Sequence, residues 1–103
     1  MRSFLISDNH DTLVLLRLAG ISGVVAHGSA ETSKALSDAL SIKNLGILLM
    51  TELAAESIPE RVTEMRSSGA LPLLIEIPDR HGTRRGADFL TRYIREAIGV
   101  KLE

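Results

Sequence analysis

Apolar positions along the chain come in short uniform runs, and amphipathic stretches separate them. That alternation predicts β-α-β-α order. Phe4-Leu5-Ile6 is the first strand, and Asp11 is placed to cap a helix from Thr12 to Ala19 that Gly20 ends. Gly23 to His27 reads as the second strand. A second helix starts within Ser29 to Thr32 and carries one narrow apolar stripe, Ala35, Leu36, Ala39 and Leu40. Leu45 to Thr51 is the strongest strand. Its run does not alternate with polar residues, so both faces should be covered, as in a central parallel strand. A third helix is predicted from about Glu52 to Arg66, with Ile58, Val62 and Met65 at core spacing. Pro59 lies inside that stretch and either opens a new helix as its first residue or kinks this one. Ser67-Ser68-Gly69 closes it, and Leu73 to Ile77 is the fourth strand, closed by Pro78-Asp79. Arg80 to Gly86 reads as a loop. A last helix is predicted from Ala87 to Ile98, with Ala87, Leu90, Ile94, Ala97 and Ile98 facing the sheet and Gly99 as its C-cap.

Four strands joined by crossover helices imply right-handed βαβ units and a parallel sheet between helical layers. The expectation is one α/β domain over residues 1–103 of three layers. Its core of βα units spans 1–79, and a loop and C-terminal helix fill 80–103. By analogy with flavodoxin-like (receiver-like) domains, the strand order should be 2-1-3-4. The chain has no internal repeat, low-complexity tract or linker.

Composition narrows what such a domain can do. Hydrophobic residues make up 45% of the chain and aromatics only 3%, so the core must be aliphatic. With a net charge of −1 and few aromatics on which bases could stack, the surface as a whole is not built for nucleic acid. The absence of cysteine excludes a disulfide scaffold, a thiolate metal site and a cysteine nucleophile, and it fits a reducing compartment. The apolar run at Phe4-Leu5-Ile6 is stopped by Asp8, too soon for a signal peptide. Leu45 to Met50 is far short of a membrane span, so any membrane association should come through a partner. Charge is uneven. Residues 80–103 hold six bases and three acids, whereas residues 1–79 hold six bases and ten acids. The C-terminal end is a basic patch on an acidic body.

Two helices carry more apolar surface than a sheet needs. A helix lying on a sheet requires one apolar stripe. Helix one has Leu13, Val14, Leu15, Leu16, Leu18 and Ala19, interrupted only by Thr12 and Arg17. A contiguous apolar excess points to an interface; Val14 or Leu15 being simply half exposed would be the ordinary alternative. In the last helix Phe89 and Tyr93 stand four apart, to the side of the sheet-facing stripe, among Arg84, Arg85, Arg92 and Arg95. Aromatics among arginines have the composition of an interface centre, or of a sheet-edge cover beside a solvated face.

Chemistry at the strand ends is sparse. Asp8, Asp11 and Glu52 could hold a hard cation, though capping and turn formation use such acids equally well. A receiver-type phosphorylation site needs an acceptor aspartate after strand three, where this chain has Met50-Thr51, and a later lysine that it lacks. Acids in the first loop would repel a phosphate, and no Gly-x-Gly motif follows a strand. Ser7, Ser29 and His27 suggest no hydrolase, because no nucleophile elbow is present. The residues thus assign no catalytic role, no metal ligand and no cofactor.

Four stretches carry a resemblance over essentially the whole chain. They are Ser7-Asp8 with Asp11-Thr12 and Arg17 to Ile21; Leu45 to Glu52; Pro72 to Asp79 with Gly82; and Ala97 to Lys101. In series they resemble the F subunit of the A/V-type ATP synthases and ATPases. Ser7-Asp8 stands where that family usually has Gly-Asp, and Leu15-Leu16 where it usually has Gly-Phe. The resemblance implies a flavodoxin-like, non-catalytic component of the central stalk, the rotor shaft. It would sit on the coiled-coil D subunit inside the ring of catalytic A and B subunits and couple ATP turnover to ion transport. It implies a cytoplasmic location, peripheral to the membrane, with no membrane insertion, no nucleic acid, no cofactor and no obligate homo-oligomer. Leu15, Leu16, Arg84, Arg85, Phe89, Arg92, Tyr93 and Arg95 are the expected partner-binding residues. The competing class is a free-standing regulatory or ligand-binding flavodoxin-like domain.

Overall fold

A parallel sheet needs a crossover after each strand, and the chain supplies them in order. The computed structural model describes residues 1–78. It runs β1 (Arg2–Ser7), α1 (His10–Leu18), β2 (Ser22–Val25), α2 (Gly28–Leu40), β3 (Leu45–Thr51), α3 (Glu52–Glu56), α4 (Pro59–Ser68) and β4 (Leu73–Ile77). All pairings are parallel and the order is β2-β1-β3-β4, the order expected by analogy with flavodoxin-like domains. The expected loop over 80–86 and the last helix lie outside the described residues.

β3 is the strand whose pattern is plainest. It is buried along nearly its whole length and pairs with β1 on one side and β4 on the other. Leu48, Leu49 and Met50 are fully buried, and each such side chain contributes about 1.5–3 kcal/mol. Alternation along the strands divides the core in two. Ile6, Leu48 and Met50 face α2, α3 and α4, where Leu36, Ala39, Ala54, Ala55, Ile58 and Val62 complete one cluster. Leu5, Leu49 and Ile77 face the other way and meet Leu13, Leu16 and Ile21 of α1 and its exit turn. Among the described residues, three helices therefore cover one face and a single helix lies on the other.

The cap of α1 differs from expectation. Asn9, not Asp11, is the N-cap: its backbone is extended and its Oδ1 accepts the Thr12 amide at 2.7 Å. Asp11 falls inside the first turn, where its charge complements the helix dipole. Both residues are of cap-forming type, and the one that leaves three residues to the Thr12 amide takes the role. At the other end the Gly20 amide donates to the Arg17 carbonyl at 2.9 Å, and the Ile21 amide to the Leu16 carbonyl at 2.9 Å. This is a Schellman closure, which needs a left-handed residue, and Gly20 sits at φ 88°.

Pro59 opens a new helix. α3 ends at Glu56 with Ser57 as its C-cap, Ile58 drops into the core, and Pro59 is the first residue of α4, where its missing amide costs nothing. β2 is shorter and earlier than predicted. Its pairing covers Ser22 to Val25, although the Ala26 amide still reaches the Ser7 carbonyl at 2.9 Å. Gly23 is required by packing: a Cβ there would stand 2.6 Å from the Leu5 carbonyl oxygen and 3.2 Å from a Leu13 methyl. α1 thus presses its Leu13 side directly onto β2.

Candidate partner-binding surface

Ligands of open parallel sheets gather where strand order reverses, here between β1 and β3 at their C-terminal ends. There the turn after β1 is held by its own hydrogen bonds. The Ser7 hydroxyl donates to the Asn9 carbonyl at 2.7 Å and accepts the Asn9 amide at 3.0 Å. The Thr51 hydroxyl oxygen accepts the Asp8 amide at 3.0 Å and caps α3 through the Ala54 amide at 3.4 Å. Asn9 Nδ2 donates to Asp8 Oδ1 at 3.1 Å. These groups shape a turn and tie β1 to β3. Among the described residues Asp8, Asp11 and Glu52 do not converge into a group of three acids or histidines able to hold a metal ion.

Among the described residues, two shallow clefts lie beside α2. One, of about 300 Å³, runs between β2 and α2 over Phe4, Val24, Ala35 and Ile42. Its charged rim is already engaged: Lys34 pairs with Asp38 at 3.1 Å, and Glu31 accepts the His27 amide at 2.8 Å. The other, of about 420 Å³, opens between α2 and the start of α4. The one cation lining it, Arg61, donates to the Ser33 carbonyl at 3.1 Å and to the Ser33 and Ser37 hydroxyls at 3.0 Å. That guanidinium serves as a clip between α2 and α4.

The apolar excess of α1 is real, but its outward positions are not the expected ones. Leu16 is 1% exposed and belongs to the core with Leu13, so it cannot be a partner contact in this packing; Leu15 is half-buried against the same cluster. Successive residues turn by about 100°, which puts Leu13 and Leu16 on the sheet side and Val14 and Leu18 on the far side. Val14 is 41% exposed and Leu18 81%. Leu13 presses on Gly23 of β2, and Leu15 projects from the opposite flank of the helix. On that half of the face Ile47 and Ile75 are half-buried and Leu73 is exposed. The other expected partner residues, Arg84, Arg85, Phe89, Arg92, Tyr93 and Arg95, lie outside the described residues.

The described residues thus combine exposed leucines with a strand-end turn held by its own hydrogen bonds. Comparison with known families decides what kind of protein this is. Residues 4–94 match the model of the ATP synthase (F/14-kDa) subunit. The chain belongs to this family. Among relatives of the F-subunit family is the F subunit of the A-type ATP synthase of Methanocaldococcus jannaschii, 30% identical over 96 residues, covering 92% of this chain and 93% of that protein. Its counterpart in Methanothermobacter thermautotrophicus is 32% identical, over 91% of this chain and 90% of its own. That of Pyrococcus furiosus is 33% identical, over 90% of both. The resemblance carried by the strand-end and helix-end motifs is therefore a family relationship over residues 4–94. Among the described residues no helix is long and apolar enough to cross a membrane.

Proposed function

We propose that the chain is a non-catalytic component of the central stalk of an A/V-type ATP synthase or ATPase. It docks on the long coiled-coil D subunit and takes part in transmitting rotation between ATP turnover in the A/B ring and ion transport. The observation that carries this is the pairing of membership in the F-subunit family over residues 4–94 with a surface of exposed leucines. A strand-end turn held by its own hydrogen bonds also supports a protein that makes no bonds. Apolar burial would hold such an interface through rotation, while charge sets its register. The protein would then sit in the cytoplasm, attached to the membrane only through the complex.

Partner contacts are assigned to Leu15 together with Val14 and Leu18 on α1, and to Phe89 and Tyr93 with Arg84, Arg85, Arg92 and Arg95 beyond β4. The test is co-expression with the coiled-coil stalk protein and the ring proteins. A stable one-to-one complex with the coiled-coil protein is expected. A chain that purifies alone and ignores every stalk and ring component would overturn the proposal. The alternative of a free ligand-binding domain has the groove between β2 and α2 in its favour. A small molecule retained there by the purified chain would carry that alternative.

A further inference from the structure

Parallel topology gathers every strand start and every helix end on one side of the molecule. The four most exposed large apolar side chains among the described residues all lie there. Met1 precedes β1, Leu18 is the last residue of α1, Leu71 precedes β4 and Leu73 begins it. Toward the opposite end, where strands finish, stand Leu53 at 43% and Val24 at 38%, both less exposed than any of those four. Charge divides the same way. Arg2, Arg17 and Lys43 stand at the strand-start end, and its segments 1–3, 17–23, 41–46 and 67–75 contain no acid. The strand-finish segments 7–12, 26–32 and 51–60 contain six acids and no lysine or arginine.

Helix dipoles favour acids at N-termini and bases at C-termini. They account for Arg17 and for Asp11, Glu31, Glu52 and Glu60, each in a terminal turn. They explain neither Arg2 and Lys43 nor the exposed leucines. Arg66, also near this end, is paired with Glu76 at 2.7 Å. Among the described residues Arg2, Arg17 and Lys43 have no such ion pair.

We infer that the strand-start end of the sheet is a docking face for an acidic helical surface with apolar ridges, and that in the assembly this surface belongs to the coiled-coil stalk protein. The inference rests on the stalk assignment proposed above and adds which end of the domain is gripped. A basic apolar end selects a partner with carboxylates around apolar side chains. A second copy offering the same end is excluded by like charge. An anionic lipid surface would suit the bases but offers no apolar ridges at the headgroup level to meet the leucines, and binding to it is an outcome of the test below.

The experiment titrates the full chain against the purified coiled-coil stalk protein, by interferometry, at about 0.05 and about 0.3 M salt. Leu18→Asp with Leu71→Asp should weaken binding at least about tenfold. Arg17→Glu with Lys43→Glu should slow association about tenfold at low salt and much less at high salt. Leu53→Asp, at the acidic end, should bind within about threefold of the unaltered chain. Thermal melts must overlay, and Leu18→Ser with Leu71→Ser gives a milder pair if the aspartates disturb folding. Unaltered binding by both rim pairs would overturn the inference while leaving the stalk assignment standing. Failure of the unaltered chain to bind would remove the stalk assignment and this inference with it. Head-to-tail self-association, or binding to phosphatidylglycerol vesicles, that the rim pairs abolish would also overturn it, by giving the face another occupant.

Discussion

Leu16 and Leu18 sit two residues apart on one helix and should answer mutation in opposite ways. Leu16 is 1% exposed and packs among Leu5, Leu13, Ile21, Leu49 and Ile77. Truncating it to alanine removes buried methyl groups and leaves a cavity, which costs about 2.7–5 kcal/mol at such sites. It lies within a turn of the end of α1, where the chain can partly relax, so about 3 kcal/mol is expected. A domain of this size loses about 4–8 °C of Tm per kcal/mol, so the melt should fall by about 12–24 °C. Small domains hold about 5–15 kcal/mol in all, so the variant should still fold. Leu18→Ala deletes a side chain that is 81% exposed. Little transfer energy is lost and alanine is the better helix former, so stability should change by less than about 0.5 kcal/mol.

Urea unfolding followed by circular dichroism measures both, with an unchanged m-value as the sign that the unfolded state is unaffected. Binding to the coiled-coil stalk protein should rank them the other way, with Leu18→Ala the weaker binder at temperatures where both are folded. Equal destabilisation by the two variants would refute the facing assigned to α1. So would a loss above about 1 kcal/mol from Leu18→Ala.

Asn9→Ala should cost about 1 kcal/mol by removing the cap of α1, and Asp11→Asn only a few tenths through the helix dipole; chemical denaturation separates them, and a larger loss at Asp11 would return the cap to that residue. Gly23→Ala should cost about 1–3 kcal/mol, because its Cβ meets the Leu5 backbone oxygen of β1, which cannot swing away; a neutral melt would mean β1 stands farther from Gly23 than described. Thr51→Val keeps the shape of the side chain but strips the acceptor from the Asp8 amide, which should cost about 1–2 kcal/mol and speed hydrogen exchange at Asp8; unchanged exchange there would show that the amide has another partner.

The central place of β3 was legible because it is a uniform apolar run, which only two covered faces explain, whereas the order of the strands around it came from analogy with flavodoxin-like domains. The ends of α3 and α4 were half legible. Pro59 announced a break, but only the burial of Ile58 shows that the chain turns and begins again there. Helix one hid its facing for the reason that made it interesting: with apolar residues all round, periodicity has no phase, and Leu16 was as plausible an outward residue as Leu18. Asn9 was missed because a cap is fixed by backbone geometry and a reach to the third amide, while the sequence offers only residue types. The exposed rim left no local signal. Met1, Leu18, Leu71 and Leu73 are far apart in the chain, and parallel pairing alone brings them to one end.

That gathering has an energetic consequence. A large apolar side chain left in water forgoes up to about 1.5–3 kcal/mol of burial, and an exposed apolar rim invites indiscriminate association. In a parallel α/β domain the strand-start end already collects helix C-termini, so bases there are favoured whatever the function. Adding leucines to that end supplies adhesion, and withholding acids from it restricts which surfaces adhere. The burial forgone by the free domain is then recovered only against an apolar surface edged with carboxylates. Assembly would thus stabilise the domain itself, since a partner that binds only the folded form raises its stability by mass action. Added coiled-coil stalk protein should therefore raise the Tm of the unaltered chain and of Leu16→Ala alike. It should do less for Leu18→Asp with Leu71→Asp, whose isolated melt matches the unaltered chain but whose rim no longer fits.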